Sequence, residues 1–242
     1  MPQQLVFSVH APLASWGEIA GAEARPSASR PTRSALLGLV AACIGIRRGD
    51  EEGLRRVDAL RVAVRVDRAG LPLHDYHTTQ VPASRRGVRY RTRRDELHSA
   101  PRDDISTILS SRAYRMEVCV CVVLNHESRP VDSGANRVIP IELAAVADAM
   151  RRPVFAPYLG RRSCPLACPL DPHIVDAADF VSASKDVARD PALNDQYWYW
   201  EEGCHSPVEP ERTNHRHDLC TSHTRRLFAE RIEHEAVIRS SN

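Results

Sequence analysis

The stretch RAYRMEVCVCVVL, residues 112–124, opens on two arginines and closes on an almost unbroken run of valine, cysteine and leucine. A β-branched run of this length reads as a strand, and one without a polar alternate lies inside a sheet with both faces covered. It is therefore the central strand, around which the other elements are to be arranged. Upstream, LVFSVHAP at residues 5–12 sets Leu5, Phe7 and Val9 against Val6, Ser8 and His10, and reads as the first strand. Residues 11–30 read as a loop. The stretch RPTRSALLGLVAACIGIRRGD, residues 30–50, then carries Leu36, Leu37, Val40, Ala41, Cys43 and Ile44 at spacings of three and four. Pro31 starts that helix over 34–45, Thr32 or Ser34 caps it, and Gly45 ends it.

A short helical turn from Glu51 to Val57 leads to LRVAVRVDR, a second strand whose Arg61 and Arg65 alternate with Val62, Val64 and Val66 and imply one wet face. After the central strand, IPIELAAVADAMRR holds a second helix with Pro140 near its start and Arg151 and Arg152 near its end. The order strand, helix, strand, insert, strand, helix, strand is βαββαβ, an α+β, ferredoxin-like arrangement also used by RNA-recognition (RRM-like) modules. From about Asp171 the pattern weakens. DQYWYWEEG and RLFAERIEHEAVIR read as strands of a smaller C-terminal β-rich part over 171–242, packed beside or onto a main domain over 1–170.

The chain has 242 residues and no apolar run of membrane-spanning length, and MPQQLVFSVHAPL carries neither a basic leader nor a cleavage signal. The expectation is a cytoplasmic protein with no membrane association. The seven cysteines suit reduced, buried thiols, since Cys43, Cys119 and Cys121 fall in apolar periodic segments. Lysine occurs once, at Lys185, so nearly all positive charge is arginine. Between Arg85 and Arg102 seven arginines stand against Asp95 and Glu96, so this stretch carries +5 of a net +2 and leaves the remainder at −3. Focused charge of this kind suits a polyanion partner.

Four blocks in order, APLASWG, PTRSALLGLVAACIGIRRGD, LHDYHT and YLGRRSCPL, closely resemble the CasD-type subunits of type I-E CRISPR Cascade, which are RAMP proteins; RRLFAER near Arg225 is a fainter echo. The resemblance spans roughly residues 5–170. It implies a ferredoxin-like RAMP domain with a protruding basic β-hairpin, the thumb, over about 80–110. It also implies a structural, non-catalytic subunit of the surveillance complex that caps the 5′ handle of the CRISPR RNA. Its other partners would be the backbone and large subunits, with target DNA engaged only through the complex. No cofactor and no metal are implied.

Within that frame each constellation takes a role. Arg25, Arg30, Thr32, Arg33 and Ser34 surround the mouth of the first helix, where free N–H groups and positive potential suit phosphate. Trp16 is a stacking platform for a splayed base or, equally, a lid over the sheet. In SRRGVRYRTRRDELHSAPR an extended ribbon would line Arg86, Arg89, Arg91 and Arg93 toward RNA. Arg161 and Arg162 follow Gly160, which permits close backbone approach. His77 reads as a hydrogen-bonding or stacking group. The rival reading is a metal-independent endoribonuclease acting through Tyr76, His77 or His10. Cys204, His205, His215, His217, Cys220 and His223 have ligand types that zinc accepts, but their spacing is loose, and the cluster reads as a histidine-rich loop ahead of a zinc site.

Overall fold

The computed structural model describes residues 1–21, 23–84, 86–126, 138–139, 141–188 and 195–239. In chain order its elements are β1 (Gln3–Ala14), β2 (Ala24–Arg25), α1 (Arg33–Ile44), α2 (Glu51–Asp58), β3 (Leu60–Arg68), β4 (Leu71–Pro82), α3 (Arg93–His98), a 3₁₀ turn at Arg102–Asp104 and β5 (Ile105–His126). There follow α4 (Leu143–Arg151), β6 (His173–Asp176), α5 (Phe180–Ala183), β7 (Gln196–Glu201), β8 (Arg212–Ser222) and β9 (Leu227–Ile238). The structure is sheet-dominated and mixed α/β. Pro140, expected near the start of the second helix, lies outside the described residues.

The valine-cysteine run is indeed inside the sheet: strands are ordered β6-β1-β5-β3-β7-β9-β8, with β2 and β4 also paired to β5. Strands β1 and β3 are both antiparallel to β5 and so parallel to one another, joined across one face by α1 and α2. On that face Leu5, Phe7 and Val9 meet Val62, Val120 and Val122 beneath Leu36, Val40, Val146 and Met150. Burying side chains of this size contributes about 1.5–3 kcal/mol each. Helix α1 ends at Gly45, whose φ of 92° is left-handed and lets its N–H bond back to Ala41 and Ala42 carbonyls.

The other face is covered too. Phe180 of α5 packs on Trp198 and Trp200 of β7, at ring-centroid separations of 4.7 and 5.3 Å, above Val6, Ala63, Cys121 and Val123. This corrects the expected wet face of β3. Arg65 is 3 % exposed, because the α5 segment lies over it and its guanidinium pairs with Asp67 at 2.7 Å and donates to the Ser184 and Val187 carbonyls. The first strand also runs on to Ala14, four residues into the expected loop, and β2 turns part of that loop into sheet.

Strand β5 is 22 residues long and serves two purposes. Its second half lies in the body, and its first half pairs with β4 from Leu71↔Met116 to Pro82↔Ile105 as an arm. The two halves meet at Glu117, whose φ of 59° breaks the regular strand there. Gly70 opens the arm with a φ of 76°, and a Cβ at that position would lie 2.4 Å from the Met116 carbonyl oxygen.

Candidate nucleic-acid interface

The mouth of α1 is closed by the chain itself. Arg33 is 4 % exposed, with Nε 2.8 Å from Glu201 Oε1 and a terminal nitrogen 3.3 Å from Asp58 Oδ1, and it donates to the Asp58 and Leu60 carbonyls. Arg30 forks onto the Glu233 carboxylate and lies 3.9 Å over the Tyr199 ring. The expectation that these two arginines face phosphate is therefore corrected. Besides Asp58 of α2, the acids that neutralise them, Glu201 and Glu233, arrive on β7 and β9, more than 160 positions later. Thr32 occupies the N-cap position without a side-chain cap bond; its hydroxyl lies 3.3 Å from that of Ser34.

Behind the mouth is a dense ionic network. Glu201 has Arg33 at 2.8 Å and both Arg61 and Arg231 at 3.8 Å. Burial still pushes its carboxyl above the ordinary range, against the pull of those three cations. Glu233 goes the other way. Burial raises it, but the hydrogen bond and charge of Arg30, with Arg231 and Arg216, outweigh burial and hold it below its ordinary value.

Trp16 is 1 % exposed and belongs to the helix-side core, which overturns its reading as an open stacking platform. Its backbone N–H donates to Ser27 Oγ at 2.9 Å and its carbonyl accepts from Ala28 at 2.7 Å, pinning the loop inward.

The arm carries the open charge. At its far end Arg86, Arg89, Arg91, Arg94 and Arg102 are exposed, and Arg93 pairs with Glu96. Arg85 lies outside the described residues. The extended arginine ribbon is corrected as well: pairing stops at Pro82, Gly87 turns at a φ of 80°, and Thr92 caps α3 by accepting the Asp95 N–H at 3.1 Å. Pro82 has no N–H with which to continue the ladder, and a threonine three residues ahead of an acid starts a helix. Along the arm, His77 Nδ1 stands 3.2 Å from Asp75 Oδ2 on one face, and Tyr76 is 67 % exposed on the other.

At the base of the arm a pocket of about 210 Å³ is bordered by Arg25, Ser27, His74, Ser111 and Arg115. Arg161 braces three of its lining residues. Its guanidinium sits 4.6 Å over the Tyr114 ring and donates to the Ala113 and Arg25 carbonyls. The preceding Gly160 lies close against the end of β1, where a Cβ would fall 1.8 Å from the Ser15 carbonyl oxygen. Arg162 is exposed on a different side, in a larger cleft with Ser34. His74 and Arg115 escaped the sequence reading; the arginine pair in RAYR, three residues apart at 112 and 115, was the available signal.

The cysteine and histidine cluster does not converge. Cys204 points at the Val62 carbonyl, His215 and His217 flank Glu230, and His223 Nε2 bonds Asp58 Oδ2 at 2.6 Å. Much of it is strand β8 instead of the expected loop, and among the described residues no group of three such ligands is placed to hold a metal ion. Cys43 and Cys121 are buried, free thiols that burial pushes up to about 11 and about 12. No helix among the described residues is long and apolar enough to cross a membrane.

Compared with known proteins, the chain matches the family described as CRISPR-associated protein (Cas_Cas5) over residues 4–235. It is 32% identical over 188 residues to the CRISPR system Cascade subunit CasD of Escherichia coli (strain K12), covering 74% of each. Among solved structures it is similar to a chain of a CRISPR RNA-guided surveillance complex, with a TM-score of 0.65, 23% identity, and coverage of 98% of this chain and 90% of that one. A second, titled Crystal structure of Cas protein, gives a TM-score of 0.59 at 22% identity over 98% and 95%.

Proposed function

Since the chain belongs to the CRISPR-associated Cas5 family, we propose that it is a structural, non-catalytic RNA-binding subunit of a type I-E Cascade that caps the 5′ handle of the CRISPR RNA with its β4–β5 arm. It is homologous to a Cascade subunit and works among the other subunits of that complex, meeting target DNA through them. The observation that carries the reading is the division of its arginines. Those at the α1 mouth are spent on internal acids, whereas Arg86, Arg89, Arg91, Arg94 and Arg102 are exposed together at the end of one arm. Single-stranded RNA is held by this kind of salt-sensitive basic surface. Arg25, His74 and Arg115 at the base of the arm extend the basic track toward the body. The ferredoxin-like reading of the core, with the arm as its thumb, is supported by the order β6-β1-β5-β3 and by the parallel relation of β1 and β3.

Geometry weighs against the nuclease alternative. Adjacent residues of a strand point to opposite faces, so Tyr76 and His77 do not meet at one phosphate. His10 pairs with Cys119 and His77 with Ser110, which separates them by nine positions of β5, about 30 Å at the rise of a strand.

The test is incubation of the purified chain with labelled repeat RNA and with mature handle RNA in a chelator. Binding of the handle without cleavage of the repeat is the expected result. Repeat cleavage that disappears in His77→Ala or Tyr76→Phe would replace this reading with the nuclease.

A further inference from the structure

Between α1, α2, residues 155–165 and the β8–β9 turn lies a preformed cleft of about 1150 Å³, on the helix side of the sheet and separate from the pocket at the base of the arm. Its floor is the outer face of α1, formed by Leu37, Gly38, Ala41 and Ala42. Phe155, Tyr158 and Phe228 stand in its walls and are 38, 40 and 58 % exposed, unusual for aromatic rings with no role in the fold. The walls are held in place: Ser222 and Thr224 of the turn donate to Glu51 at 3.0 and 2.8 Å, and His223 bonds Asp58.

We infer that this cleft receives an acidic amphipathic helix from another protein subunit of the complex, an assignment that rests on the Cascade reading above. Charge decides the sign of the partner. The two lining acids are already taken, Asp58 by Arg33 and His223 and Asp218 by Arg231. Arg47, Arg48, Arg162 and Arg226, from three separate segments, make no ion pair among the described residues, so the open charge of the cleft is positive throughout. Shape decides its form. Gly38 sits in mid-helix, where glycine weakens a helix relative to alanine, yet a Cβ there would meet nothing within 4 Å. The fold itself has no use for the missing methyl group, whereas a helix crossing α1 at 8–10 Å does. A floor of alkyl groups would desolvate a sugar-phosphate backbone without replacing its hydrogen bonds, so protein is favoured over RNA.

The experiment uses the complex assembled by co-expression with its other subunits and a CRISPR RNA, the chain carrying Phe228→p-benzoylphenylalanine. After irradiation the expected adduct is a peptide from another subunit with Asp or Glu beside apolar residues at i and i+4. Arg47→Glu with Arg48→Glu should lower the yield of that adduct about tenfold, while the RNA recovered per chain stays at the parental level. An adduct to RNA, to a basic or uncharged segment, or to nothing overturns the assignment. Absence of RNA and of all other subunits from the parental preparation would overturn the Cascade reading instead, which the RNA and subunit content reports before any light is applied.

Discussion

Arg33 changes from a presumed ligand contact into an internal tie, and its mutation separates the two roles. With a 4 % exposed guanidinium facing Glu201 and Asp58, Arg33→Ala should lower unfolding free energy by about 3–5 kcal/mol, because it strands buried carboxylate. Arg89→Ala, on the exposed tip, should stay within about 0.5 kcal/mol. Urea denaturation of both variants is the check, and equal stability of the two would refute the internal tie. Thr32→Ala belongs with the mild changes, since its hydroxyl makes no cap bond. Gly160→Ala belongs with the severe ones. The left-handed φ of 80° costs an L-residue about 1–2 kcal/mol, and the overlap with the Ser15 carbonyl adds to it.

Helix α1 and the arm each divide structure from function within one element. Gly38→Ala should stabilise the chain by about 0.8–1.0 kcal/mol, because the new methyl group meets no neighbour and the helix gains propensity. A loss of stability would mean the open floor of the cleft is misjudged. On the arm, replacing Arg86, Arg89 and Arg91 together by alanine should leave the melting temperature unchanged and reduce the slope of log affinity for handle RNA against log salt by about 2, from three phosphate contacts at roughly 0.7 each. Binding titrations at several salt concentrations read that slope. The helix and the central strand were legible because hydrophobic periodicity is local. The arginine stretch was misread for a local reason as well: alternation of Val88 and Tyr90 with arginine matches a strand, but Pro82, Gly87 and the Thr92 cap outweigh it.

The ionic network ties the C-terminal strands to the α1 mouth, so the protein's response to pH has two opposed components. Glu233 is held low by Arg30 against burial, and a carboxyl lowered on folding adds stability that is present above its unfolded value and lost as pH falls through the folded one. Glu201 is raised by burial, so its contribution is present at low pH and lost as pH rises through its folded value. Relative to the parent, over about pH 2 to about pH 7, Glu233→Gln should therefore become more destabilising as pH rises toward the ordinary carboxyl value, and Glu201→Gln less destabilising as pH rises above it. Urea unfolding across that range checks the signs, and parallel trends would contradict the assignment.

What the sequence by itself determined is everything set by neighbours: the β1, α1 and β5 segments, the Gly45 cap, the concentration of charge before Arg102, and the four blocks that pointed to the family. Tertiary structure alone decided which arginines are free. Arg30, Arg33 and Arg65 look as exposed in sequence as Arg89 and Arg91, and what separates them is Glu233, Glu201 and the α5 segment, brought from more than 110 positions away by β7 pairing with β3 and β9 with β7. A charge is used by whatever lies within a few ångströms of it, and that distance is set by chain contacts that local pattern does not encode.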